Sequence, residues 1–183
     1  MPYITEHKQK FAELKFFLDN QDQLRKQANG GNSILFSYPP AEEHLYIEKV
    51  KELYQDEAVF IDISKLLVEF IDEDGWEDFK EYYQDFKETP AKVFRSPDDP
   101  AIDLFDLIIR EIESVCKGDK KPFLVRTGCL DGTGIDNLNI MEHKSVMNQP
   151  KPLVVFYPSR IDGENLYFLN YKSASKYRCT LVK

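Results

Sequence analysis

Four charged side chains fall where the hydrophobic patterning ends strands or opens the loops that follow: Asp62, Arg126, Asp131 and Arg160. Carboxylates and arginines at the carboxyl ends of parallel strands can move a proton, hold a divalent cation or grip a phosphate. Such chemistry needs companions, and their spacing here is poor. YPPAEEH, residues 38–44, occupies the chain position of a phosphate loop, yet its prolines offer no N–H and Glu42 and Glu43 repel an anion. TGCLDGTG, Thr127 to Gly134, has glycines and hydroxyls but no lysine, and its glycine spacing misses the dinucleotide fingerprint. His7, His44 and His143 form no metal-ligand pair, and no GxSxG elbow is present. A nucleophilic Cys129 requires the fold to bring His44 or His143 to it. The acidic pairs Asp72 with Asp74 and Asp98 with Asp99 are commonplace in so acidic a chain. Asp62 is the carboxylate of most interest, with helix capping and acid–base work both open to it. The enzymatic reading is thus a degenerate nucleotide-binding or hydrolytic α/β site at the strand carboxyl ends.

The elements that must position these residues follow from periodicity. Phe11, Leu14, Phe17, Leu18 and Leu24 predict an N-terminal helical segment over 4–28, which Asn29, Gly30, Gly31 and Asn32 end. Residues 1–30 are expected to pack on the rest as part of one domain. Ser33 to Tyr38 reads as a strand, 41–54 as a helix offering Leu45, Ile47, Val50 and Leu53, and 58–63 as a second strand running into a helix. Trp76, Phe79, Tyr82, Tyr83 and Phe86 form an aromatic helical stripe assigned to packing, and Glu88 to Pro100 reads as a connecting loop. Ile102, Phe105, Ile108, Ile109, Ile112 and Val115 make 100–117 an amphipathic helix.

A third strand is predicted at Phe123 to Thr127, then a helix or irregular connection over 135–147. A strand buried on both faces runs from Leu153 to Tyr157 and is closed by Pro158. Leu166 to Leu169 and Tyr177 to Val182 read as two more. Strand and helix alternate with crossovers too long for hairpins, which predicts a three-layer α/β domain around a largely parallel sheet. A mixed sheet, with 166–169 or the terminal strand antiparallel at an edge, is the alternative.

One core suffices for 183 residues that are 42% hydrophobic and 13% aromatic. No apolar run approaches the roughly 20 residues that span a bilayer, so a soluble, cytoplasmic protein is expected, without membrane partners. Three widely spaced cysteines, Cys116, Cys129 and Cys179, fit reduced thiols rather than a disulfide framework. The net charge of −8 is uneven: Glu69 to Glu113 carries fifteen acidic and five basic residues, Lys117 to Lys183 six and eleven. Direct nucleic-acid binding through the basic end would be opposed by the acidic middle.

PLVVFYPSRIDGENLYFL, followed by YKSASKYRCTLV, resembles the end of the BrxB family of bacterial phage-defence proteins. There, a strand ending in FYPG and an Asp-Gly turn precede a Leu-rich strand and a final strand with Tyr-Arg. Phe156, Tyr157, Pro158, Asp162, Gly163, Leu166, Phe168, Tyr177 and Arg178 carry the likeness, and KPFLVRTG, Lys121 to Gly128, is similar to the strand that comes before. The chain departs from the pattern at Ser159, which replaces a glycine, and at Lys176 and Cys179. The resemblance covers the last third of the chain. It implies a non-catalytic adaptor or assembly subunit of a BREX-type antiviral system, working beside a PglZ-like phosphatase-fold protein, a DNA methyltransferase and an ATPase. No cofactor or metal is implied, and the topology would be P-loop-like or Rossmann-like without its phosphate loop. On this reading Tyr157, Arg160, Asp162, Tyr177 and Arg178 are docking candidates, because aromatics and arginines dominate interface centres.

Overall fold

A computed structural model of the chain describes residues 2–97 and 100–183, with side chains from residue 7 onward. The pair Asp98 and Asp99 lies outside the described residues. The core of the sheet is β1 (Ser33–Tyr38) beside β4 (Leu153–Asp162), paired in parallel from Ser33 opposite Leu153 to Tyr38 opposite Pro158. All six residues of β1 are buried, as a central strand covered on both faces demands. With β2 (Ala58–Asp62), β3 (Lys121–Val125) and β7 (Cys179–Val182), the parallel order is β2-β3-β4-β1-β7. The expected three-layer α/β architecture is the one observed.

Two apolar cores lie on the two faces. Ile34, Phe36 and Tyr38 point one way, into α1 (Pro2–Asp19), α2 (Gln21–Gln27) and α3 (Glu43–Tyr54), where Phe36 stacks on Phe156 at 4.7 Å. Leu35 points the other way, toward α4 (Ile63–Glu73), α7 (Leu104–Lys117), α8 (Asn137–Met141) and α9 (Lys144–Met147). The predicted N-terminal helix is two helices, because Asn20 donates its amide to the Phe16 carbonyl at 2.7 Å and so ends α1. The start of α7 is set by a capping box: Asp103 accepts from the Asp106 N–H at 2.8 Å and Asp106 accepts from that of Asp103. Within the predicted loop at 88–100, α6 (Ala91–Phe94) buries Val93.

The structure corrects three expectations. Pro158 does not close its strand. It is where β4 leaves β1 and, from Ser159 to Asp162, takes up the antiparallel strand β5 (Asn165–Phe168), which in turn pairs with β6 (Lys172–Ala174). Proline is tolerated at this change of partner, where its carbonyl accepts from Leu169 N–H at 2.9 Å. The hairpin lays Leu166 and Phe168 on the same core as Leu35 and Cys179, standing in for a crossover helix. Of the two strands considered for an antiparallel edge, 165–168 is antiparallel and the terminal strand is parallel. Second, α3 buries Tyr46, Ile47, Val50 and Tyr54, so Leu45 and Leu53 face outward, 43% and 45% exposed. Third, α5 (Trp76–Asp85) packs only Phe79 and Tyr83 against Phe94, leaving Trp76 and Tyr82 exposed.

Candidate functional site

The chain leaves β1 through α3 on one face and leaves β4 through the hairpin on the other. This places a topological switch beyond Tyr38 and Pro158, the position where open α/β sheets take ligands. In this protein the chain's own side chains meet there. Ser37 on β1 and Ser159, two residues beyond its register partner Tyr157 on β4, share a hydrogen bond of 2.9 Å. Tyr38 donates its hydroxyl to Glu43 Oε2 at 2.8 Å. Burial first, then the Glu43 charge, pushes the Tyr38 phenol far above its ordinary range, so it remains a donor.

Beside it, Arg126 Nε stands 3.3 Å from Asp62 Oδ2. The other Asp62 oxygen accepts from the backbone N–H of Ser64 at 3.1 Å and from its hydroxyl at 2.6 Å, making Asp62 the N-cap of α4. Arg126 has φ of 57°, a left-handed conformation that costs a non-glycine residue energy and turns the chain sharply out of β3. Thr127 then donates to the Phe156 carbonyl at 2.7 Å, tying the loop to β4.

Of the four strand-end candidates, only Asp62 and Arg126 pair. Asp131 accepts from the Tyr171 hydroxyl at 2.7 Å, and Arg160 pairs with Asp162 at 3.1 Å while lying 4.8 Å from the Tyr167 ring. Cys129 donates to the Arg126 carbonyl, and burial pushes its thiol up to about 11, where it is protonated and a poor nucleophile at neutral pH. His143 bonds Ser145 at 2.8 Å, and His7 stands 3.4 Å from Glu42 against the Tyr46 ring. Among the described residues no group of three or more His, Cys, Asp or Glu side chains could hold a metal ion. No described helix is long and apolar enough to cross a membrane.

The five docking candidates do not form one patch. Tyr157 is corrected to a core residue: it is 4% exposed, stacks on Phe168 at 4.8 Å and donates to Asn137 Oδ1 at 3.2 Å, beside a cavity of about 340 Å³. Its alternation along β4 turns it inward. Arg160 and Asp162 are exposed near the carboxyl end of β1, where Arg160 shares a cavity with Ser37, Ser159, Lys10 and Lys183. Tyr177 and Arg178 lie roughly 20 Å away, a strand's length, at the amino end. Tyr177 is 50% exposed, and Arg178 sits over its ring at 5.2 Å while donating to the Asn29 carbonyl at 2.9 Å.

Two further polar residues have no place in the sequence reading. Lys10 is buried and donates to the Ser37 carbonyl at 3.3 Å; its position four and seven residues before Leu14 and Phe17, within the apolar stripe of α1, was the available signal. Asn137 is also buried and passes the Tyr157 bond on to the Ser175 carbonyl at 2.8 Å. Comparison of the chain with protein-family models, with curated proteins and with solved structures returned no match.

Proposed function

We propose that this chain is a non-catalytic adaptor or assembly subunit of a BREX-type antiviral complex, and that a PglZ-like protein is its partner. The observation that carries the reading is the content of the carboxyl-end crevice. Pro39 and Pro40 take the place of phosphate-binding amides, Glu43 presents a carboxylate held by Tyr38, and Asp62 is committed to capping α4 and to Arg126. Between Tyr38 and Asp62 a nucleotide phosphate would meet the Glu43 and Asp62 carboxylates and prolines without N–H groups. The cations around it are engaged by the chain itself, Arg126 by Asp62, Arg160 by Asp162 and Lys10 by the Ser37 carbonyl. The C-terminal likeness to the BrxB family supports the same conclusion and supplies the partner class.

Affinity purification of the intact protein from its native host, followed by mass spectrometry, tests the proposal. Recovery of a PglZ-like protein, reduced in Tyr177→Ala or in Arg160→Ala, is the expected result. Recovery of no other defence-system component sinks the adaptor reading.

A second reading is favoured by one contact, the Asp62–Arg126 pair at adjacent strand ends beside a left-handed arginine. On that reading the crevice is a degenerate nucleotide-binding or hydrolytic site. Thermal-shift and turnover panels with nucleotides, with and without divalent metal, decide it: no shift and no turnover removes it.

A further inference from the structure

Between α1 and α3 the surface opens into an apolar groove of about 690 Å³, in the size range of sites that take a ligand or a partner's side chains. Its floor is Phe11, Tyr54 and the two leucines, Leu45 and Leu53, that the phase of α3 turns away from the core. Its rim is basic. Among the described residues that line it, Lys8, Lys15 and Lys49 stand with one carboxylate, Glu57, on a chain whose net charge is −8. Lys15 and Lys49 are held by Asp19 and Glu52, each at 2.9 Å in exposed pairs four and three residues apart on the same helix. Exposed pairs of this kind are worth little and exchange readily for a better-placed carboxylate.

We infer that this groove docks an amphipathic helix of the partner protein whose apolar stripe is flanked by Asp and Glu. The inference rests on the adaptor reading and gives its partner a chemistry. An apolar trough between two helices accepts side chains at helical spacings of three and four residues, as helix-in-groove recognition does elsewhere. The three lysines select the flanking charge, because an acidic flank gains with each of them and a basic flank is repelled. A second copy of this chain is disfavoured as the occupant by the repulsion between two molecules of charge −8.

The test places a photo-cross-linking amino acid at Leu45 in the full chain expressed in its native host, with a second cross-linker at Trp76 as a surface control. Because Leu45 is exposed, its replacement leaves the fold intact, which circular dichroism and Tm verify. The Leu45 probe is expected to capture a helical segment of the PglZ-like protein, apolar on one side and richer in Asp and Glu than in Lys and Arg, and capture of a segment from any other protein overturns the inference. Lys8→Glu with Lys49→Glu should cut the yield about tenfold, with the Trp76 probe giving no such segment. Capture of a second copy, capture of a basic or uncharged segment, or a yield unchanged by the lysine reversals overturns the inference. Failure to capture anything while the PglZ-like protein still co-purifies overturns the groove alone. Loss of co-purification altogether removes the adaptor reading and the groove with it.

Discussion

The backbone carbonyl of Arg178 passes so close to Gly31 that a Cβ on Gly31 would collide with it. This contact, together with the Arg178 side chain bonded to Asn29, ties the loop before β1 to the entry of β7. Arg178 itself has φ of 60°, so the C-terminal Tyr-Arg pair is held in a strained turn by the glycine loop across from it.

Gly31→Ala should therefore destabilise the protein by roughly 2–4 kcal/mol, since two stretches of backbone must separate. Gly132 is a useful contrast. It has a positive φ but open space around it, and Gly132→Ala should cost about 1 kcal/mol from backbone conformation alone. Urea unfolding of the two variants measures the difference, and equal losses would show that the Arg178 contact is soft.

Asp62 acts as a cap before it acts as an ion-pair partner. Asp62→Ala should lower stability by about 1–2 kcal/mol, and Asp62→Asn, which can still accept from Ser64, by clearly less. A double-mutant cycle with Arg126→Ala should return a coupling below about 1 kcal/mol, because Arg126 is half exposed to water. A larger coupling would mean that the pair is pre-organised for something other than capping.

Alkaline pH should loosen the fold through its thiols, joined above about pH 10 by the buried phenols of Tyr38, Tyr54 and Tyr157, which burial also pushes up. Burial pushes Cys179 up to about 12 and Cys129 up to about 11, against 9.0 for an unburied thiol. The folded state then holds protons that the unfolded chain releases. Their contribution is complete below about pH 9 and is lost as pH rises toward 11 and 12. Denaturant midpoints measured from pH 8 upward should fall across that window, and Cys179→Ala should flatten the fall. An unchanged slope in the variant would locate the alkaline sensitivity elsewhere.

Tyr157 and Tyr177 should separate cleanly, although both lie in the last third of the chain. Tyr157→Phe removes a buried bond to Asn137 and should cost about 1 kcal/mol while leaving partner recovery unchanged. Tyr177→Ala should leave Tm within about 2 °C and reduce recovery of the proposed partner. Urea unfolding and co-purification measured on both variants decide the matter, and the opposite pattern would reverse the two assignments.

The alternation of short apolar runs with 3.6-period helices was enough to read a three-layer α/β domain from the sequence, because burial on both faces makes strands such as Leu153–Tyr157 near-continuously apolar. Local chemistry left Asp62 open to capping or to acid–base work, and the structure makes it the cap of α4 through Ser64. Tertiary structure alone decided the rest. Pro158 reads as a strand end because proline cannot donate to a ladder, yet β4 continues there by exchanging β1 for β5, a change of neighbour that no local pattern records. Leu45 and Leu53 look like core on a helix that has Ile47 and Val50, but the angle at which α3 meets the sheet buries Tyr46 and Tyr54 in their place. Asp62 finds Arg126, and not Arg160, because the parallel pairing of β2 with β3 sets Asp62 opposite Val125, one residue before Arg126, while Arg160 is taken up by Asp162 and Asp131 by Tyr171. Periodicity determines which side of an element is apolar. Which apolar side is covered, and which charged ends meet, depends on how the elements are stacked.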